Sequence, residues 1–177
     1  MLKVNTIKIA ALFGLVLVLV ACGPSKEEQE KEARFNYAKK TVSDLLSVDT
    51  IGTEKEAIFI VTKNAYMQKI AKIEDMPRLV DSIYSLESRK LKRCQKLAGL
   101  VPSSMPKDMK EQIDVLWSTT CSKYRLRLEC LDAFSTYMGA KTKKNKDDVE
   151  LECKKVEIQS NLMIAQFNRL VDMYGNK

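Results

Sequence analysis

The chain contains no histidine. That absence removes the imidazole on which Ser-His-Asp and Cys-His catalysis depend, together with every metal site built on a histidine ligand. No two cysteines stand at the C-x2–4-C spacing of zinc modules. No Gly-turned loop of alternating oxygen ligands is present to hold calcium. Nor does any apolar stretch have the length of a membrane span. The stretch Ile9–Ala21, broken only by Gly14, makes about 20 Å of helix at about 1.5 Å per residue, against a hydrocarbon core of about 30 Å. There is no internal repeat and no basic motif interleaved with aromatics of the kind that reads nucleic acid. One segment, Ala57–Thr62, has the β-branched density of a strand, but a strand needs a partner and there is no second one, so helix is expected there as well. The expectation is a chain with no catalytic residues, cofactor, metal or nucleic-acid partner.

What is present starts at the N-terminus. Lys3 and Lys8 precede the apolar stretch, and small residues follow it, in the order of an export signal. The stretch closes on Leu19-Val20-Ala21-Cys22, which resembles the lipobox of bacterial lipoproteins. The resemblance covers residues 1–22 and implies lipidation of Cys22: diacylation on sulfur, cleavage before the cysteine and acylation of the new amine. Each buried CH2 of such an anchor contributes about 0.8 kcal/mol, and several chains on one residue hold the protein without a span. By the same resemblance, Gly23, standing where Asp would retain a lipoprotein in the inner membrane, implies the periplasmic face of the outer membrane, or the cell surface if there is only one membrane. The expected organisation is a signal peptide over 1–21, an acylated tether over 22–24 and one helical periplasmic domain over 25–177.

The chain carries 30 Lys+Arg against 23 Asp+Glu, a net charge of +7, and losing Lys3 and Lys8 with the signal would lower it by two. This moderate charge suits anionic lipid headgroups or an acidic partner. Arg89, Lys90, Lys92, Arg93 and Lys96 make a basic cluster, of which Arg89, Lys92, Arg93 and Lys96 fall near one helical face and form a candidate basic binding face; a solvated surface is the plain alternative. Lys141, Lys143, Lys144 and Lys146 make a second cluster at a turn. The acids Asp147, Asp148, Glu150 and Glu152 are explained by the positive end of a helix starting there.

With Cys22 assigned to lipid, Cys94, Cys121, Cys130 and Cys153 remain. In an oxidising compartment an even count reads as two disulfides. Cys121 and Cys130 lie in one helical pattern, on opposite faces and about 13 Å apart along the axis. A disulfide needs Cα atoms within about 7 Å, so these two do not pair. Cys130 and Cys153 are placed symmetrically about the lysine-rich turn, which leaves Cys94 with Cys121. The expected bridges are therefore Cys94–Cys121 and Cys130–Cys153, each closing a loop of about 25 residues and contributing about 3 kcal/mol.

Helical periodicity and punctuation give five helices. The first opens at a capping box, Ser25 to Glu28, and runs to about Val48. The second opens at a similar box, Thr53 to Glu56, with Ala57, Ile58, Val61, Ala65 and Ile73 on one face and Tyr66 and Ile70 beside them. The third runs from Asp75-Met76-Pro77 to Gly99, the fourth from about Lys107 to Met138, and the fifth from about Asp147 to Tyr174, with Cys153, Val156, Leu162, Phe167, Leu170 and Val171 inward. Trp117 lies on the inward stripe of the fourth. The fold class is all-α, a bundle of about five helices stapled by two disulfides, with the fourth helix central. Permanent anchoring, rigidity and no catalytic signature point to a non-enzymatic module that binds a protein partner in the envelope, as an accessory of a secretion or envelope complex or as an immunity or exclusion factor. The alternative is an envelope-maintenance lipoprotein acting on lipid or cell wall.

Overall fold

A computed structural model describes residues 24–70 and 74–174. Over them the chain forms five helices and no strand: α1 (Lys26–Asp49), α2 (Thr53–Met67), α3 (Met76–Ala98), α4 (Lys107–Gly139) and α5 (Lys143–Tyr174). Cys22, Gly23, Ile73 and the expected signal segment lie outside the described residues. No described helix is long and apolar enough to cross a membrane.

The capping box of α1 forms as the sequence dictates. The Glu28 N–H donates to Ser25 Oγ at 3.2 Å, and the Ser25 N–H donates to Glu28 Oε2 at 2.7 Å. The first two turns are solvated, and Ala38, Thr41, Leu45 and Val48 then pack inward at helical spacing. The expected box at Thr53 does not form. Gly52, at φ +70°, takes the N-cap position instead, and its hydrogen sits where a Cβ would come within 2.6 Å of Leu86 Cδ2. Only Thr50 and Ile51 separate α1 from that glycine, and the chain crosses this joint without reversing. Cross-helix pairs show the result. Arg34 meets Asp108 at 2.7 Å, Lys123 meets Asp49 at 2.6 Å, Arg127 meets Glu56 at 2.7 Å, and Tyr66 packs edge-on to Tyr137. Both numbers of each pair climb together, so α1 and α2 run in succession along α4 and in its direction.

The disulfides fix the other two directions. Cys94–Cys121 and the Glu87–Arg127 pair set α3 antiparallel to α4, while Cys130–Cys153 and the Gln159–Thr119 bond set α5 antiparallel to it. Both bridges are those expected from the sequence, with Cα separations of 5.7 and 5.0 Å. The architecture is thus an up-down-up-down bundle with four struts, the first broken into α1 and α2.

The break divides the interior into two cores. The lower one gathers Val48 of α1, Cys94 of α3, Ile113, Leu116, Trp117 and Tyr124 of α4 and Leu170 of α5. The upper one gathers Phe59 of α2, Val80 and Ile83 of α3, Leu131 and Phe134 of α4 and Val149 of α5. Trp117 lies in the lower core as expected, its carbonyl facing Cys94 Sγ at 3.8 Å.

Three further details differ from the sequence reading. On α2 the expected inward face is reversed: Ile58 and Val61 are 52% and 70% exposed and Ile70 is also outside, whereas Phe59 is buried. Phe59 and Tyr66 both meet Phe134 edge-on, and one large ring in that aromatic cluster outweighs the aliphatic row. On α5, Leu162 faces solvent. That helix also begins one turn early, because Thr142 caps it: its Oγ1 accepts from the Asn145 N–H at 3.1 Å. Most of the lysine-rich turn is therefore helical.

Candidate functional site

Between the two cores lies a layer of charge. Lys90, fully buried on α3, donates to Glu56 and, at 3.3 Å, to the carbonyl of Asp49 at the end of α1. Arg127 on α4 bridges Glu56 at 2.7 Å and Glu87 at 2.9 Å. Lys123 and the Tyr124 hydroxyl both donate to Asp49 Oδ1, at 2.6 and 3.0 Å. Placement follows from the break in the first strut. It brings the last carbonyls of α1 and the first turn of α2 to the level of Lys90 and Arg127, so cations meet the negative end of one helix and an acid opens the next.

The environments push these groups apart. Burial raises the Asp49 carboxyl, but the hydrogen bond and charge of Lys123 outweigh it, and Asp49 ends below its ordinary value. Burial likewise raises Glu56, and the charges of Arg127 and Lys90 bring it below. Glu87 goes the other way. Its side chain is 2% exposed, burial dominates over Arg127, the nearby Glu56 charge adds, and its carboxyl is held above the usual range. Its second oxygen, Oε2, has no hydrogen-bond partner.

Glu56, Glu87 and Arg127 also line one end of an open cleft of about 410 Å3 between α2 and α5. Its walls are mostly apolar, made by Phe59, Ile60, Ile83, Leu131, Val156 and the Cys130–Cys153 bridge, with Asn64 and Glu157 at the far end. Lys63 stands on the rim, its amine 3.3 Å from Cys153 Sγ and paired with no carboxylate. Burial alone lowers its pKa. Beyond Lys63 the cleft continues into a polar hollow of about 460 Å3 lined by Asn64, Gln68, Lys146, Glu150, Lys154 and Glu157. The cleft exists because α2 is short, packs on α3 and reaches α4 through Phe59 and Tyr66, leaving its edge unclosed against α5. Two carboxylates biased to opposite protonation states beside one cavity are the raw material of acid–base hydrolysis. Here, however, both Glu56 oxygens are held by cations, and one Glu87 oxygen is too.

Of the residues expected from the sequence, Arg89, Lys92, Arg93 and Lys96 are exposed together on α3 in the lower half, and none makes an ion pair. Arg93 reaches Ser47 Oγ at 3.4 Å. Lys90, in the midst of that cluster, belongs to the interior layer instead. Among the described residues no set of three acids or cysteines is arranged to hold a metal. The charge layer and the cleft were not foreseen. The layer's signal was present: Glu87 and Lys90 continue the inward row Val80-Ile83, and Arg127 continues Tyr124-Leu131, so charges interrupt two core stripes at the same height.

Exposed aliphatic side chains form two further rows, Ile58 and Val61 on α2 and Leu151, Ile158 and Leu162 on α5. No family model, curated protein or solved structure matches this chain.

Proposed function

We propose that this is an outer-membrane lipoprotein acylated at Cys22, whose helical domain faces the periplasm and binds another envelope protein without catalysis. The supporting observation is the pair of exposed aliphatic rows on a disulfide-stapled scaffold. Leu151, Ile158 and Leu162 recur at helical spacing on the outer face of α5, and Ile58 and Val61 do so on α2. Rigid bundles present such rows to partner helices. The basic face of Arg89, Lys92, Arg93 and Lys96 adds long-range attraction toward acidic partners or headgroups. Suitable roles are an accessory of a secretion or envelope complex, or an immunity or exclusion factor.

The test has two arms. Mass spectrometry of the mature N-terminus should find Cys22 acylated; a free or differently cut terminus removes the anchor. Pull-down with the full chain from envelope extract should capture a partner that Ile158→Asp or Val61→Asp releases. No capture at any salt concentration, or capture indifferent to both changes, rejects protein binding. A second reading, action on lipid or cell wall, rests on Glu87 alone, whose Oε2 is unpartnered beside the cleft while Glu56 is held by cations. Loss of a measurable hydrolysis in Glu87→Gln would be its mark.

A further inference from the structure

The cleft between α2 and α5 carries an inference that does not depend on the protein-binding reading. Its two compartments differ in kind. The first is walled by aliphatic and aromatic side chains and a disulfide, and its volume of about 410 Å3 falls in the range of about 300–1,000 Å3 typical of small-ligand sites. The second is polar. Lys63 stands where they join and lines both, together with Asn64, Cys153 and Glu157.

Two polar groups in this cleft are unsatisfied. The Lys63 ammonium is half-buried, and its one contact is a sulfur, a weak acceptor. A half-buried cation without an anion is costly unless something supplies one. Among the charges around the polar hollow, Lys146 is paired with Glu150 at 3.6 Å, while Lys154 and Glu157 make no ion pair. Lys63 and Lys154 against Glu157 leave the hollow with a surplus of positive charge. The other unsatisfied group is Glu87 Oε2 at the opposite end of the apolar compartment, on a side chain 2% exposed. From Glu56 to Lys63 the α2 wall spans two helical turns, about 10 Å at about 1.5 Å per residue.

We infer that the cleft binds a single-chain amphiphile with an anionic head, the carboxylate or phosphate seated at Lys63 and Lys154 and the acyl chain lying over Ile60, Ile83, Leu131 and Val156. Each half of such a molecule meets what the protein lacks: an anion for Lys63, and apolar surface for a wall that is open to water. Glu87 marks the inner end. It gives the terminus of a long chain a polar neighbour, so the site favours short chains or chains bearing a hydroxyl. The head can come from a free fatty acid or from a lysophospholipid, since both present an anion on one chain.

The experiment uses the full chain in phosphatidylcholine nanodiscs, with empty nanodiscs subtracted. Equilibrium binding is measured for laurate, lauroyl lysophosphatidylglycerol and dodecylamine. Saturable binding of one laurate or one lysolipid per chain is expected, and which of the two binds identifies the source of the head. Dodecylamine should bind at least about tenfold more weakly than the better anion. Lys63→Met and, as a second variant that fills the cleft, Val156→Trp should each weaken binding by at least about tenfold, whereas Lys92→Ala on the far basic face should not. Thermal melting confirms that the variants fold. No saturable binding above empty discs, equal binding of dodecylamine, or full binding by both folded cleft variants overturns the assignment.

Discussion

The residues with most at stake are the buried ions. Lys90 has no solvent to fall back on, so Lys90→Met leaves Glu56 and the Asp49 carbonyl facing a methyl group. Removing one partner of a buried pair costs about 3–5 kcal/mol, and because Arg127 still holds Glu56 the loss belongs at the low end, about 3 kcal/mol by urea denaturation. The pH dependence of stability separates the carboxyls by sign. Asp49 and Glu56 are held below their ordinary values, so the stability they contribute is present above the unfolded pKa and lost as pH falls through the folded one. Glu87 is held above its ordinary value. The native state keeps a proton that the unfolded chain releases, and stability therefore falls as pH rises from the usual carboxylate range through the folded pKa of Glu87. Glu87→Gln should remove that decline and leave the acid limb in place, which denaturation curves at several pH values would show. An unchanged decline would mean that Glu87 is ionised in the native state.

At the scale of elements, the five helices were legible because each carries its own signals: the Ser25 box, Pro77 at a first turn, Gly99 and Gly139 at helix ends and a sustained apolar period. Both bridges were legible too, since helical geometry forbids Cys121 from reaching Cys130, and the symmetry of Cys130 and Cys153 about the lysine-rich turn pairs those two. What was not legible is which neighbour each face would meet. The aliphatic row of α2 is as good an inward stripe as Phe59 and Tyr66 in sequence terms, and only the presence of Phe134 across the interface decides between them. The cleft was hidden for the same reason: it is a gap between two elements, and no residue pattern within either announces it. The joint at Gly52 is the point at which an element can be tested. A side chain there suffers the left-handed backbone, about 1–2 kcal/mol, and also a collision with Leu86. Gly52→Ala should lower stability by about 2 kcal/mol or more, and more than Gly139→Ala, where a Cβ meets nothing within 4 Å, should do; comparison of the two melting temperatures checks this.

For the whole molecule, each staple serves a different core. Cys94 is sealed in the lower one, and Cys130–Cys153 ties α4 to α5 beside the upper one. Replacing either pair by alanine should cost about 3 kcal/mol on the chain-entropy account. With no shared partners, the two losses should add within about 0.5 kcal/mol when all four cysteines are replaced. A marked excess over the sum would mean that the cores depend on each other through the charge layer.

The charge layer also has a consequence for assembly. Apolar packing alone is tolerant of axial offset, since a helix slid by one or two turns finds another aliphatic row to lie against. Lys90, Arg127 and Lys123 meet Glu56, Glu87 and Asp49 at a single height. Slide any of the three struts that carry these residues by a turn and at least one ion is sealed without a counter-ion, a penalty of several kcal/mol that lost aliphatic contact does not match. The layer therefore works as a keyway, letting the struts seat at one notch and no other.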